Sequence, residues 1–342
     1  MLILFAPAGS QQIAVTSCGA DPTGHKDSTS AFQKCLSTLP AGNLFIPYGT
    51  YRITAPVFKK RNQNLVGMGS RASVLKCEAV NGPCIVAADT TGGPANYSTS
   101  VIQDLGIEGP GTNNHSAGIL LGGDPADKVV SKDAFGDAVN IVDVRVRAFN
   151  HGVEWGNNAH SNKVVQSYIV ENSSGLFTLP NLANSGKAIS ITDSSISNNQ
   201  QYGIEDHNSF EWMIQGSSFD YNNTAIMFYG ATIHAMNCHF EQGRAPIFLQ
   251  PSGHANLSIK DSEIRIQSNT GTDKYVLSTW PQSLNLAIDD VNILSNHPVQ
   301  YFMRVQGKIT GVITNLHGNE NKKIGALSEA HSQAAVTALD AF

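Results

Sequence analysis

A repeat of about 24 residues runs through most of the chain and constrains its fold more than any other feature. Nine segments align on one small or polar residue, here termed the anchor. After a first spacing of 39 residues, successive anchors are 21 to 29 residues apart. The anchors are Asp104, Asp143, Ser167, Asp193, Gly216, Asn237, Asp261, Asp290 and Asn315. Internal repetition with this period is typical of a solenoid.

The residues around each anchor predict a bend between two short strands. Apolar and polar residues alternate on both sides of it, which is the period of a β-strand. Asp, Asn and Gly tolerate the left-handed backbone of a tight bend. A third apolar segment follows, as in Gly152–Trp155 and Gly203–Asp206. The residues expected to form a buried stack are Ile214, Phe219, Phe240, Ile259 and Ile264.

Three strands per repeat predict an all-β chain that forms a right-handed parallel β-helix of about nine to ten coils, with short capping helices at its ends. The coils are expected within residues 65–318, and the Gly-rich segment 109–136 is expected to protrude as a loop. A leucine-rich solenoid would need its leucine signature, and a propeller has a period of about 40 residues or more. A sandwich would not hold so many repeats in one register.

The whole chain is interpreted as a single domain, residues 11–342, with an N-terminal cap region over residues 11–64 and a C-terminal cap over residues 319–342. A helix is predicted at Asp27–Leu36, where capping residues precede an amphipathic run. A second helix is predicted over Leu327–Phe342. Residues 1–10 are interpreted as a signal-peptide remnant, with a first buried strand as the alternative.

Composition and charge exclude several classes of protein. Charged residues make up only 14% of the chain, the formal net charge is −5, and Lys and Arg do not cluster, so nucleic acid is not an expected partner. No apolar run is long enough to cross a membrane. The spacing of Cys77 and Cys84 favours a disulfide over two reduced thiols. A secreted or extracellular location is therefore expected, with the periplasm as an alternative.

Three segments carry a family resemblance: Cys18–Gln33 (CGADPTGHKDSTSAFQ), Gly42–Ile53 (GNLFIPYGTYRI) and Leu65–Gly69 (LVGMG). They resemble the opening of the pectate-lyase-like superfamily, in the branch shared by rhamnogalacturonase- and epimerase-type enzymes and phage tailspikes. The resemblance implies a polysaccharide partner, a monomer or a trimer, and a polysaccharide-acting enzyme or a degenerate relative. It supplies no catalytic residues, because members of this group place their acids differently.

Acidic residues four places after the anchors form the first candidate site. Glu171, Asp220 and Glu241 are expected on one sheet face, and the last two fall on neighbouring coils about 5 Å apart. Glycoside hydrolysis needs two such carboxyl groups. We therefore predict that Asp220 and Glu241 line one groove. The alternative is a solvated ladder of opposite charges with Arg147 and Arg265, which would contribute little energy.

The end of the third strand offers a second candidate site, at Glu205 and Asp206, with Glu154 outward on an earlier coil. Asp206 has inward parity, so it either follows the end of the strand or is a polar core residue. Aromatic residues in the same coils suit sugar rings, although packing in the core is the alternative. The candidate substrate-binding residues are Trp155, Tyr202, Trp212, Tyr221, Tyr229 and Arg265.

Three functions from different classes remain open on the sequence. The first is a glycoside hydrolase that uses a carboxyl pair and needs no cofactor. The second is a polysaccharide lyase in which Asp220 and Glu241 hold Ca²⁺ while Arg265 or a Lys takes the proton. The third is a non-catalytic glycan-binding or structural β-helix. His234 and His239 lie on opposite sides of a bend, so they are not expected to form a metal pair.

Overall fold

The computed structural model describes residues 11–90, 99–184, 187–208, 210–242, 247–248, 254–266, 275–279, 283–295, 301–305, 308–318, 326–328 and 333–341. Within these residues the chain is a right-handed parallel β-helix, as the repeat predicts, and each strand pairs in parallel with its equivalent on the next coil. The proposed signal remnant, residues 1–10, lies outside the described residues. Among the described residues there is no helix that is both long and apolar enough to span a bilayer.

The strand that precedes each anchor belongs to the first face. Its strands are Gln12–Ala14, Gly42–Phe45, Gln63–Val66, Ser100–Gln103, Val139–Val142, Lys163–Val165, Ile189–Thr192, Glu211–Gln215 and Thr232–Met236. Farther along the chain, longer strands run through the bend onto the second face: His254–Ile266, Ser283–Ser295, Lys308–Gly318 and Gln333–Ala341. The stack therefore extends beyond both ends of the sequence repeat.

The second and third faces follow each anchor in turn. The second face contains Thr23–Asp27, Gly49–Ile53, Ser73–Cys77, Gly106–Glu108, Arg145–Arg147, Tyr168–Val170, Ser195–Ser197, Ser218–Asp220 and His239–Gln242. The third face contains Val57–Lys59, Asn81–Ala87, His115–Leu121, His151–Trp155, Ser174–Thr178, Tyr202–Asp206 and Thr224–Phe228. A separate sheet contains Ile247–Phe248, Tyr275–Thr279, Tyr301–Val305 and Ala326–Ser328. His115–Leu121 lies inside the predicted loop 109–136, so that prediction was wrong for these residues.

The anchors are the bends of the coil. Eight of the nine have a left-handed backbone, with φ between 48° and 58°. The ninth bend lies at Gln166, with φ of 48°, and not at Ser167. Ser167 instead occupies the buried position after the bend, where its hydroxyl accepts a hydrogen bond from the Val144 N–H at 3.1 Å. The register of that coil is therefore shifted by one residue from the sequence alignment.

Buried serines connect the coils just inside the first bend, which is the bend at the anchor between the first and second faces. The Ser194 hydroxyl accepts a hydrogen bond from the backbone N–H of Ser167 at 3.1 Å, and the Ser217 hydroxyl accepts one from Ser194 at 3.2 Å. Ser262 does the same for the N–H of Cys238. Each hydroxyl thus satisfies a backbone donor that the bend removes from the sheet ladder.

Buried asparagines also satisfy backbone donors at the second bend, which lies between the second and third faces. Asn199 Oδ1 accepts hydrogen bonds from the backbone N–H and the side-chain amide of Asn172, at 3.1 and 3.2 Å. Asn222 Oδ1 accepts the corresponding bonds from Asn199 at 3.1 and 2.9 Å. Because all three side chains are buried, unmade bonds here would be costly, so the ladder fixes the register of these coils.

The interior contains the predicted apolar stack. Ile214, Phe219, Phe240, Ile259 and Ile264 are all buried, which confirms the inward rows. The rings of Phe219 and Phe240 stack with their centroids 5.3 Å apart.

Asp206 is a polar core residue at the end of a third-face strand. Its carboxylate accepts hydrogen bonds from Thr178 Oγ1 at 2.9 Å, the Asn208 N–H at 2.8 Å, the Phe210 N–H at 3.2 Å and Trp212 Nε1 at 2.8 Å. Burial raises the pKa of Asp206, while these donors act in the opposite direction. The side chain thus closes the turn into the next coil.

The N-terminal cap agrees with the sequence. A helix at Thr29–Thr38 buries Ala31, Phe32, Cys35 and Leu36 against the first coils. Disulfides join Cys18 to Cys35 and Cys77 to Cys84, and the second confirms the predicted pair.

The predicted C-terminal helix was wrong. Gln333–Ala341 is a strand that pairs in parallel with Lys308–Gly318, with Ile309 opposite Ala334 and Ile313 opposite Ala338. Small apolar residues in this segment fit both the helical and the strand period. The unpaired edge of the preceding strand offers a full ladder of backbone hydrogen bonds, which favours the strand.

We expect Phe219→Ala to lower the free energy of unfolding by about 3–5 kcal/mol, because it leaves a cavity in the stacked interior. Tyr168→Ala, which removes an exposed aromatic ring from the same face, is the matched control and should change stability by less than about 0.5 kcal/mol. Urea denaturation of both variants measures the difference. Equal losses would show that Phe219 does not pack as described.

We expect Asp206→Asn to destabilise the fold by about 2–4 kcal/mol, since an amide group would face donors where a carboxylate accepts from all of them. Glu211→Gln, at an exposed position on the next strand, is the control and should be nearly neutral. Thermal denaturation compares the two. An Asp206→Asn variant as stable as the control would contradict the role of this carboxylate.

Candidate active site

Asp220 and Glu241 lie on adjacent strands of the second face. The strands pair in parallel with Asp220 opposite Glu241 and Ser218 opposite His239. The predicted position of the two acids on neighbouring coils is therefore confirmed, whereas their lining of one groove stays a prediction. His239 joins them, and one ligand atom from each of the three side chains lies within 4.8 Å of the others. Asp220, His239 and Glu241 are here termed the acid–histidine cluster.

The imidazole of His239 lies at the centre of this cluster. Its Nε2 is 3.2 Å from Glu241 Oε2 and 3.7 Å from Asp220 Oδ1, and its Nδ1 is 3.3 Å from Glu263 Oε1. The Tyr221 hydroxyl donates a hydrogen bond of 2.7 Å to Glu241 Oε1. The two ring nitrogens thus face carboxylates on opposite sides.

The two acids have environments that separate their pKa values. Burial, together with the charge of Glu241, raises the pKa of Asp220. Burial also acts on Glu241, but hydrogen bonds from Tyr221 and His239 and the charge of Arg265 outweigh it and lower its pKa. Asp220 Oδ1 is buried and accepts no hydrogen bond from the described residues. Such a separation is typical of a general acid beside an ionised partner.

The donor set of the cluster consists of one imidazole and two carboxylates. Calcium takes oxygen ligands only, so a central histidine does not favour the Ca²⁺ role considered for a lyase. A borderline cation such as Zn²⁺ accepts both imidazole and carboxylate ligands. The cluster therefore fits proton transfer or a borderline cation better than it fits calcium.

Two shallow grooves follow the first bend and meet at Asn237 and His239. One has a volume of about 260 Å³ and extends to Tyr168, and the other has a volume of about 370 Å³ and extends to Asn292. Together they are here termed the bend groove. The second-face rows from Tyr168 to Asn292 stack over five steps of about 4.8 Å, giving a length of about 24 Å. The acid–histidine cluster borders the middle of this length through His239.

The candidate aromatic residues divide into two groups. Tyr221 and Tyr229 are 51% and 48% exposed, and Tyr202 is partly buried. Trp155 and Trp212 are fully buried, with ring centroids 5.4 Å apart, so their assignment to substrate binding was wrong. Both indoles fill the inner side of the coil, where their size contributes to packing.

Arg265 lies one coil beyond Glu241, opposite it in the strand register, and its guanidinium is 3.1 Å from Glu263. It remains near the cluster and contributes positive charge to it. The ladder of opposite charges considered on the sequence is therefore present at this end of the row. Three carboxylates, those of Asp220, Glu241 and Glu263, nevertheless lie near this one guanidinium group.

Glu171 does not share the row of Asp220 and Glu241, so its expected register was wrong. The shifted bend at Gln166 places Val170 in that row, opposite Arg147 and Ser197, and leaves Glu171 at the next bend, with φ of 60°. The Glu171 carboxylate lies 3.3 Å from the Arg147 guanidinium. It therefore belongs to a surface ion-pair group.

A second group of titratable side chains lies on the third face. Glu205 accepts a hydrogen bond from the Ser174 hydroxyl and lies 2.9 Å from His207 Nε2. Glu154 lies 2.7 Å from His151 Nδ1. In the strand register, Glu154 and Glu205 are two coils apart, about 10 Å, with Phe177 between them. Because Asp206 is enclosed in the core, the acids on the described strands of this face that keep some exposure are Glu205 and Glu154, both partly buried.

The sequence analysis assigned none of the three histidines of the two groups to a catalytic site. It considered His239 only as a metal partner of His234, although His239 lies two places after its anchor with the same outward parity as Glu241. His207 and His151 each lie within three residues of the glutamate that they contact, so a search for acid–histidine pairs along the third strands would have found both.

Several solved structures share this fold. The DFA-IIIase of Arthrobacter chlorophenolicus in complex with GF2 has a TM-score of 0.66 and 13% identity, covering 94% of this chain and 92% of that one. The catalytic unit of a GH87 α-1,3-glucanase from Streptomyces thermodiastaticus has a TM-score of 0.56 and 14% identity, covering 98% and 68%. A tailspike of Acinetobacter phage vb_AbaP_AS12 has a TM-score of 0.63 and 10% identity, covering 96% and 62%. This chain thus spans less than two thirds of the tailspike.

The amino-acid sequence itself was also compared with known proteins. No curated protein matches it significantly. The family described as rhamnogalacturonase A/epimerase, pectate lyase-like, matches residues 12–248, which is more than half of the chain. The protein therefore belongs to this pectate-lyase-like family, as the resemblance of its N-terminal segments implies.

Proposed function

We propose that this protein is a glycoside hydrolase that cleaves a polysaccharide at the acid–histidine cluster and acts outside the cytoplasm. Family membership and the glycan-acting names among the structural neighbours support a carbohydrate substrate. The observation that carries the proposal is the carboxyl pair of Asp220 and Glu241, on adjacent coils and with pKa values shifted in opposite directions. Asp220 therefore keeps its proton to a higher pH than Glu241 does.

The geometry assigns a role to each side chain of the cluster. Asp220, whose pKa is raised, donates its proton to the glycosidic oxygen as the bond to the anomeric carbon breaks. Glu241, whose pKa is lowered, is the ionised partner. Because Asp220 and Glu241 lie opposite each other on adjacent strands, their carboxyl groups suit the short separation of retaining enzymes, and we assign Glu241 as the nucleophile. Water then releases the glycosyl group, and Asp220 takes the proton from that water.

We expect Asp220→Asn and Glu241→Gln each to lower turnover by about 10²–10⁴-fold, because each removes a group that acts in bond cleavage. The melting temperature of Asp220→Asn should stay nearly unchanged or rise slightly, since one of two neighbouring like charges is lost. Glu241→Gln should lower it slightly, because the folded state stabilises the ionised form of Glu241. Release of reducing ends from a panel of polysaccharides measures the activity, and circular dichroism measures the melting temperature.

Glu205→Gln and Glu154→Gln on the third face are the matched controls for this experiment. Near-normal rates in both cluster variants, with loss of activity in the third-face variants, would move catalysis to Glu205 and Glu154. Products that absorb at 235 nm, together with a requirement for Ca²⁺, would instead identify a lyase. No product by either assay over the whole panel would favour a non-catalytic glycan-binding protein.

The opposite pKa shifts predict a bell-shaped dependence of the rate on pH. The rate should fall on the acid side as Glu241 becomes protonated and on the alkaline side as Asp220 loses its proton. Tyr221→Phe removes a hydrogen bond that lowers the pKa of Glu241, so the acid limb should move to higher pH. Tyr168→Phe is the control and should leave both limbs in place. An unchanged acid limb in Tyr221→Phe would argue against Glu241 as the ionised group.

A further inference from the structure

The charges that line the bend groove are nearly all of one sign. Asp193 lines one part, and Asp261, Glu263 and Asp290 line the other. Among the described residues that line the two parts, none is Lys or Arg, and His239 is the titratable base they share. With Asp220 and Glu241 beside it, this surface carries a concentrated negative charge on a protein whose formal net charge is only −5.

The bend carboxylates are held outward by the backbone of the coil. Asp193, Asp261 and Asp290 are anchors with a left-handed backbone, and all three are exposed. Asp261 and Asp290 occupy equivalent positions on neighbouring coils, about 4.8 Å apart. Gly216 follows Asp193 in this row and has no side chain, so Asp193 Oδ1 occupies the space where a Cβ of Gly216 would lie.

The positive charge of Arg265, whose guanidinium lies 3.1 Å from Glu263, offsets this negative charge only in part. Asp193 and Asp261 have no ion pair with the other described residues. A glycan that carries a carboxylate on each sugar would therefore meet like charges along the length of the groove, at distances where repulsion in water is appreciable.

We propose that the bend groove selects polysaccharides built from uncharged sugars and rejects polymers of uronic acids, with Asp193 and Asp261 as specificity-determining residues. The proposal rests on the proposed function, because the groove borders the acid–histidine cluster. Each repelling pair of carboxylates should weaken binding about twofold to threefold at low ionic strength, and several pairs act together. Neutral sugars place only hydroxyl groups against the same aspartates, which accept hydrogen bonds from them.

The test compares matched polymers that differ only in charge. Soluble α-glucan, β-glucan and galactan are each paired with a derivative oxidised at C6 to a carboxylate, and galacturonan is paired with its methyl ester. Affinity electrophoresis at low ionic strength measures binding without requiring cleavage. For every pair of polymers that the protein binds, wild-type protein should bind the neutral polymer at least about tenfold more tightly than the carboxylated one. Added salt should narrow the difference by screening the charges.

The Asp193→Asn/Asp261→Asn double variant removes two charges while keeping side-chain size. Asn is already present at the equivalent anchors 237 and 315, also with a left-handed backbone, so the fold should tolerate it. Binding of the carboxylated polymers should rise several-fold, and binding of the neutral ones should stay unchanged. Asp133→Asn/Glu211→Gln, which removes two exposed acids outside the groove, is the control and should preserve the wild-type ratio.

Wild-type protein that binds carboxylated polymers as tightly as their neutral partners would overturn the proposal, as would an unchanged ratio in the groove variant. Failure to bind any polymer of the panel would also overturn it. The proposed function fails in a different way, through normal turnover in the Asp220→Asn and Glu241→Gln variants. The two outcomes are therefore separable, because one concerns binding ratios and the other concerns rates.

Discussion

At the first bend of each coil between Asp104 and Asn315, the chain turns at one residue with a left-handed backbone. The position of that residue decides which side chains of the following strand face solvent. A shift by one place exchanges the inner and outer rows. The coil that turns at Gln166 shows this directly, since it places Val170 in the row of Asp220 and sends Glu171 to an ion pair with Arg147. The composition of the candidate active site thus depends on bend geometry first and on side-chain chemistry second.

The ladders of buried serine and asparagine make that geometry reproducible from coil to coil. A bend interrupts the sheet hydrogen bonds, and Ser194 and Asn199 satisfy the backbone groups that it frees. A change of register would leave several of these groups buried without partners, at a cost that no surface contact offsets. The interior is therefore specified by directional bonds as well as by apolar burial, while the outward positions remain free to carry chemistry.

Periodicity made the fold predictable, because inward and outward rows recur at fixed distances from each anchor. It failed where neighbouring residues satisfied the same rule. Gln166 and Ser167 are both polar, so the pattern did not show which one turned. The alanine-rich segment from Gln333 fits a helix and a strand equally, and only the exposed edge of the preceding strand decides between them. Asp220 and Glu241 were found by position, whereas Trp155 and Trp212 were chosen by residue type and proved to be interior.

The two disulfides make the N-terminal end of the solenoid differ from the rest in its covalent links. Both lie within the first 84 residues, the first of them joins the helix at Thr29–Thr38, and the remaining cysteine, Cys238, is buried and unpaired. In a solenoid each coil is held mainly by its two neighbours, so structure is lost and regained one coil at a time. The first disulfide ties the capping helix to the turn before it, and the second closes a corner within one coil, so both restrict the unfolded chain locally at this end. The coils beyond residue 84 carry no such restriction among the described residues and depend on their neighbours alone.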